Sequence, residues 1–167
     1  MKDMVSVPFP NNGKNKNFKK DFNSENTGLV PPQNVQAEEA VLGGILLDQD
    51  AIGRIADIIK PEAFYINAHQ EIYRTALMLH TQGKPTDLTS MSAWLADNGS
   101  LEKIGGNGKL VELVENVSST ASIEQVANLI NDKFMRRQLI RSGNEVVQLG
   151  FDQTQDINEV LDKAEQK

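Results

Sequence analysis

The chain has 167 residues, with 17 Lys and Arg against 23 Asp and Glu, a net charge of −6, and no cysteine. That length suits one compact domain with extensions. The missing cysteine excludes disulfides, thiolate zinc sites and cysteine nucleophiles, and an acidic body is a poor general adhesive for a phosphate backbone.

Residues 1–29 carry five Lys against three acidic groups, +2, while the remainder carries 12 basic and 20 acidic groups, −8. Rich in Asn, Lys and Ser, with Phe9, Phe18 and Phe22 isolated, this stretch reads as a disordered tail. It has no apolar core of signal-peptide length. The longest apolar run, AVLGGILL, is far too short to cross a bilayer, so a soluble cytoplasmic protein without membrane contact is expected. Pro31 and Pro32 mark the start of the folded part.

From residue 36 onward the apolar spacing is helical throughout. AEEAVLGGILLD is apolar on most sides, the pattern of a central buried helix. Gly43 and Gly44 each cost it about 1 kcal/mol relative to Ala, which implies close approach by another helix. Ala51, Ile52, Ile55, Ala56 and Ile59 form the stripe of a short amphipathic helix that Pro61 ends. Asn67 with Gln70 resembles a capping pair for a third helix, whose stripe runs through Ile72, Tyr73, Ala76, Leu77 and His80 to Gly83. His80 is expected at the core edge. A fourth helix follows Asp87 with Leu88, Met91, Trp94 and Leu95.

The run KIGGNGKL invites a phosphate-loop reading, but G-x-x-x-x-G-K-[ST] needs Gly where Lys103 stands and Ser or Thr where Leu110 stands. No buried strand precedes it. The favoured reading is a Gly-rich loop with Asn107 capping a fifth helix, KLVELVENV. Ser122 and Gln125 make a capping box for a sixth helix of almost thirty residues up to Gly150. Ile123, Val126, Ala127, Ile130 and Phe134 line one side of it. Met135, Leu139, Ile140, Val146, Val147 and Leu149 widen the apolar surface beyond what one partner face uses. Asp156 and Glu159 cap a seventh helix that the chain end cuts short, giving an αα-hairpin with exposed apolar surface. The fold class is all-α: a tail at 1–29, a helical head at 30–120 and a helical hairpin at 121–167.

Catalytic chemistry is not found. His69 and His80 stand three helical turns apart, too far to chelate one ion. Glu38, Glu39, Asp48 and Asp50 read as helix-end and surface charges, no carboxylate is paired with a histidine, and Ser118, Ser119 and Thr120 have no base. No catalytic, cofactor or metal residues are assigned. A helix-turn-helix drawn through 70–98 would present LTSMSAWLADN, which has no Arg or Lys to anchor phosphates. The basic cluster Lys133, Arg136, Arg137 and Arg141 reads as a solvated face pairing with Asp132 and Glu145.

Four blocks carry a family resemblance: PPQNVQAEEAVLGGILLDQDAI, KPEAFYINAHQEIYRTALMLHTQGKPTDLTSM, LEKIGGNGKLVELV and the Arg-rich long helix ending GNEVVQLGFD. In this order and spacing they resemble the N-terminal domain of the hexameric bacterial replicative DNA helicase, the DnaB family, over residues 30–167. The resemblance implies a collar: a globular helical head, and a hairpin whose pairing between subunits gives dimers that assemble as three pairs. It also implies docking of primase. The RecA-like motor that uses ATP and Mg and moves along single-stranded DNA is missing here, so the chain looks like a fragment or split product, without enzymatic activity of its own. The family often has an aromatic where Lys109 stands, and usually a proline-containing turn where SSTAS stands. Candidate subunit or primase contacts are Phe134, Ile140 and Val146, with Arg137 and Arg141 as a rim that steers an acidic partner, and Lys109 in the loop. Gly43 and Gly44 are helix-packing positions. A stand-alone helical adaptor or DNA-binding regulator on the same fold is the alternative.

Overall fold

A computed structural model describes residues 30–117 and 122–166. The expected tail at 1–29, residues 118–121 and Lys167 lie outside them. Seven α-helices are present among the described residues: α1 Val35–Leu47, α2 Ala51–Ile55, α3 Asn67–Thr81, α4 Leu88–Asp97, α5 Gly106–Glu115, α6 Ile123–Phe151 and α7 Ile157–Glu165. Two single 3₁₀ turns, Pro61–Ala63 and Glu102–Ile104, precede α3 and α5. No strand occurs among the described residues, so the fold is all-α as expected. Contacts divide the chain into two compact units, one spanning Pro32–Gly143 and one that includes Asn144 to the end of α7.

In the larger unit α1 is the central helix, packed on α5 and α3. Its N-terminus is capped by Asn34, whose side chain accepts from the Ala37 N–H at 3.0 Å. Val41, Leu42, Ile45 and Leu46 are buried along it. Gly43 explains how α5 comes so close. A Cβ there would fall well inside contact distance of the Leu113 carbonyl oxygen and Val117 Cγ2, whereas a Cβ on Gly44 would meet only Ile123 Cδ1 at 3.3 Å. Both glycines face neighbours, and Gly43 has the tighter fit.

The second apolar stripe is helical only to Ile55; the chain then turns and enters the 3₁₀ turn at Pro61, which still buries Ile59. In α3, Tyr73 is fully buried, its hydroxyl donating to the Ile59 carbonyl at 3.1 Å and its ring 4.9 Å from that of Phe64. Burial pushes the Tyr73 phenol well above its ordinary range. Asn67 does not cap α3. The N-cap is Ile66 in extended backbone, and Gln70 instead donates its amide to the Phe64 carbonyl at 2.8 Å. His80 is exposed and lies against Gly53 rather than at the core edge.

Asp87 caps α4 as read from sequence, accepting from the Thr89 and Ser90 N–H groups at 2.9 and 3.0 Å. The Ser90 amide, first among these bonds, holds the Asp87 carboxyl below its ordinary value of 3.8. A carboxyl depressed in the fold contributes stability that is present above the unfolded value near 4 and is lost as pH falls through the folded value. Asp87→Ala is therefore expected to lower stability by about 1 kcal/mol at neutral pH. The gap from wild type should narrow in thermal melts run at progressively more acid pH; a gap that holds constant or widens as pH falls would contradict this account.

The two glycines at the start of α5, its cap Gly105 and first residue Gly106, have positive φ, 98° and 74°, where an L side chain is strained. That turn accounts for the double glycine. Asn107 is inside α5 and does not cap it; its Oδ1 accepts from the Ser92 hydroxyl, and the cap position is Gly105. The first half of α6 completes this core: Ala127 and Ile130 are buried, with Ile123, Val126 and Phe134 packed against it. Ser122 donates its hydroxyl to the Glu124 carboxylate instead of forming a box with Gln125.

The smaller unit holds the end of α6, a turn and α7. Asp152 organises the turn by accepting from the Thr154 N–H at 3.0 Å and from the Gln155 amide at 2.6 Å. Asp156 caps α7, accepting from the Asn158 N–H at 2.9 Å. Val160 is buried while Ile157 and Leu161 stay in solvent.

Candidate protein interaction site

The residues expected at an interface divide sharply. Arg137 is turned into the larger unit: its guanidinium donates to the Pro32 carbonyl at 2.7 Å and the Ala63 carbonyl at 2.6 Å. The Tyr65 and Phe134 ring centroids each lie 5.7 Å from it, within cation–π range. Burial lowers the Arg137 pKa, and the charge of Glu38 opposes that shift. Phe134 is half-buried against the core. The contacts these two side chains make are within the chain.

Beneath Arg137 lies an arrangement the sequence reading did not find. Glu38 is 2% exposed; its Oε1 accepts from the Tyr65 N–H at 2.6 Å, and its Oε2 accepts from the Ile66 N–H at 3.4 Å and lies 2.8 Å from Nδ1 of buried His69. Glu38 is therefore neither a surface charge nor free of histidine. The two residues are 31 apart in sequence, so no local motif joins them. A signal existed: Glu38 precedes Val41 and Leu42, and His69 precedes Ile72 and Tyr73, by the three- and four-residue steps that put each on its helix's buried face. A carboxylate that takes N–H bonds from a turn and an imidazole, with a guanidinium nearby, ties α1, α3, the 61–66 segment and α6 together.

Lys109 also points inward. Its ammonium is 2.9 Å from Glu39 and 3.3 Å from Glu112, joining α5 to α1 with its side chain 20% exposed. Partial burial works to lower its pKa, but the hydrogen bonds to Glu39 and Glu112 outweigh that and raise it. Glu39 is thus an interhelical partner and not a free surface charge. The basic cluster is dispersed: Arg136 pairs with Asp132 at 3.0 Å, Arg137 faces the core, and Arg141 is exposed. No group of His, Asp or Glu among the described residues could hold a metal ion, and no described helix is long and apolar enough to cross a membrane.

Large apolar side chains also stand in solvent. Ile140 is 45% exposed and Val146 37%. Met135 and Leu139 are more exposed still, at 58% and 74%, and share one side of α6. At 3.6 residues per turn they point roughly 140° away from Ile130 and Phe134, which face the core. In the smaller unit Phe151, Ile157 and Leu161 are exposed as well. Large apolar side chains repeated in solvent at this spacing are a common feature of protein interaction surfaces.

A family model described as the DnaB-like helicase N-terminal domain matches residues 30–132. The replicative DNA helicase DnaB of a Nostoc species is 52% identical over 87% of this chain, and that of a Synechocystis species 48% identical over 83%. The chain spans only 17% and 16% of those relatives' lengths. Among solved structures, the N-terminal domain of DnaB helicase from Mycobacterium tuberculosis is 37% identical, with a TM-score of 0.77 over 81% of this chain and 96% of that one. A DnaB-like replicative helicase described with its interactions with primase is 30% identical, with a TM-score of 0.63 over 78% of this chain and 31% of that one.

Proposed function

The chain belongs to the DnaB-like helicase N-terminal domain family, and from that premise we propose that it is the collar of a replicative helicase, which pairs subunits in a ring and docks primase during DNA replication. One observation carries the reading: Met135, Leu139, Ile140 and Val146 on α6, and Ile157 and Leu161 on α7, stand in solvent. The domain resemblance supports a second copy of the chain as their occupant, as a dimer or as three pairs in a hexamer. The primase interactions described for the 30% identical helicase support primase as a second partner. On this reading ATP and magnesium chemistry, and movement along single-stranded DNA, belong to the remainder of a longer cytoplasmic helicase.

Arg137 and Phe134 act from inside, holding α6 at the angle at which its outer side is presented. Lys109 does the same for α5 through Glu39. With its ammonium committed to two carboxylates, Lys109 has no phosphate role, so the purified chain is expected to show no magnesium-dependent ATP turnover. Lys109→Ala should leave that unchanged and lower stability by about 1 kcal/mol, the upper range for a partly exposed pair. In titration calorimetry the chain should bind a primase C-terminal domain. ATP turnover that Lys109→Ala abolishes, or the absence of any primase complex at tens of micromolar, would count against the collar reading.

A further inference from the structure

Three methionines of the described chain differ in access to solvent: Met135 on α6 is 58% exposed, Met78 on α3 is 39% exposed and Met91 on α4 is fully buried. Met135 is also the one that shares its side of α6 with Leu139, in the apolar surface assigned above to pairing. Thioether oxidation follows access, and it converts a flexible apolar side chain into a polar one.

We propose that Met135 is an oxidation site whose state controls association of this chain with a second copy of itself; this rests on the pairing reading given above. The chemistry is closed with a peroxide as co-reactant. Hydrogen peroxide transfers one oxygen atom to Sδ, the sulfur is oxidised by two electrons to the sulfoxide, and the peroxide is reduced to water. The sulfoxide oxygen is a strong acceptor set beside apolar Leu139, and pairing would strip water from it at a cost.

The surroundings of Met135 favour a second copy as the occupant. Arg136, the next residue, pairs at 3.0 Å with Asp132, one turn back, so the surface carries both signs of charge, which suits a patch that meets itself across a two-fold axis. Nucleic acid would select a uniformly basic face. Reciprocity follows: pairing covers Met135, so oxidation should slow as association advances, while Met78 is unaffected.

The test treats the whole chain with hydrogen peroxide at low and high protein concentration, maps sulfoxide by peptide mass spectrometry, and measures association by sedimentation. Met135 is expected to react faster than Met78 and far faster than Met91, and to be protected several-fold at high protein concentration. Its sulfoxide, or Met135→Gln as a polar stand-in, should weaken association about tenfold. Met135→Leu should associate normally and lose the sensitivity to peroxide. Reaction of Met135 no faster than Met91, unchanged association of the sulfoxide form, or peroxide sensitivity that survives in Met135→Leu would each overturn the proposal. A chain that is monomeric before any oxidant is added overturns the pairing reading itself, and with it the control of pairing by Met135.

Discussion

Glu38→Ala is expected to lower the stability of the larger unit by about 3 kcal/mol or more, because removing a buried acceptor leaves its donors unsatisfied at about 1–3 kcal/mol each. The substitution strands the Tyr65 and Ile66 N–H groups, His69 Nδ1 and the Arg137 charge, all of which face the carboxylate or its field. With typical domain stability only about 5–15 kcal/mol, a loss of this size is visible as a drop in melting temperature of 10 °C or more. Glu38→Gln keeps the shape and acceptor capacity of one oxygen and should recover part of the loss. A change under about 1 kcal/mol for Glu38→Ala, measured by urea unfolding, would show that the cluster does not hold the head together.

Gly43→Leu is the second large effect. Even the first carbon of the new side chain would collide with the Leu113 carbonyl, and backbone yields far less readily than a side-chain end. Overpacking of this kind costs about 1–3 kcal/mol and occasionally more, and here α5 must move as a whole, so the upper end is expected. Gly44→Leu provides the contrast. Its nearest neighbour is the end of the flexible Ile123 side chain at 3.3 Å, and a better helix former returns about 1 kcal/mol. Thermal melts should therefore show Gly43→Leu well below Gly44→Leu. Equal melting temperatures would mean that α5 does not approach α1 through Gly43.

The contrast between these glycines shows where sequence reasoning reaches and where it stops. Periodicity located the helices because apolar spacing is a local property, and the long helix read from Ser122 to Gly150 is α6, Ile123–Phe151. Asp87 and Asp156 were legible as caps because their carboxylates bond N–H groups two or three residues away. Asn67 and Asn107 misled because a cap also depends on backbone dihedrals: the extended residue is Ile66, and the residue turning into α5 is left-handed Gly105. That two glycines pack closely was readable; which of them meets a backbone oxygen depends on residues 70 positions later. The Glu38–His69 contact and the inward turn of Arg137 were likewise set by tertiary placement. Charge spacing on α6 gave Arg137 the same appearance as its neighbour Arg136, which pairs with Asp132 in solvent.

Exposure sorts the residues proposed for association more finely than spacing did. Phe134 packs against the core, so Phe134→Ala should destabilise the fold by about 2 kcal/mol, scaled down from the range for a fully buried ring. Ile140 and Val146 remain exposed as expected, and Leu139, 74% exposed, joins them as the most open large aliphatic side chain on α6. Arg141 stays a rim candidate by position.

Sedimentation velocity of the purified chain over a concentration series, compared with Leu139→Asp and Val146→Asp, tests the pairing surface most directly. Each Asp adds a charge to an exposed position, so far-ultraviolet circular dichroism and melting temperature should match wild type. Self-association should weaken by about tenfold or more, as expected for a charge desolvated at an interface centre. Variants that associate like wild type at micromolar concentration, or that unfold the monomer, would contradict the assignment of these faces to subunit pairing.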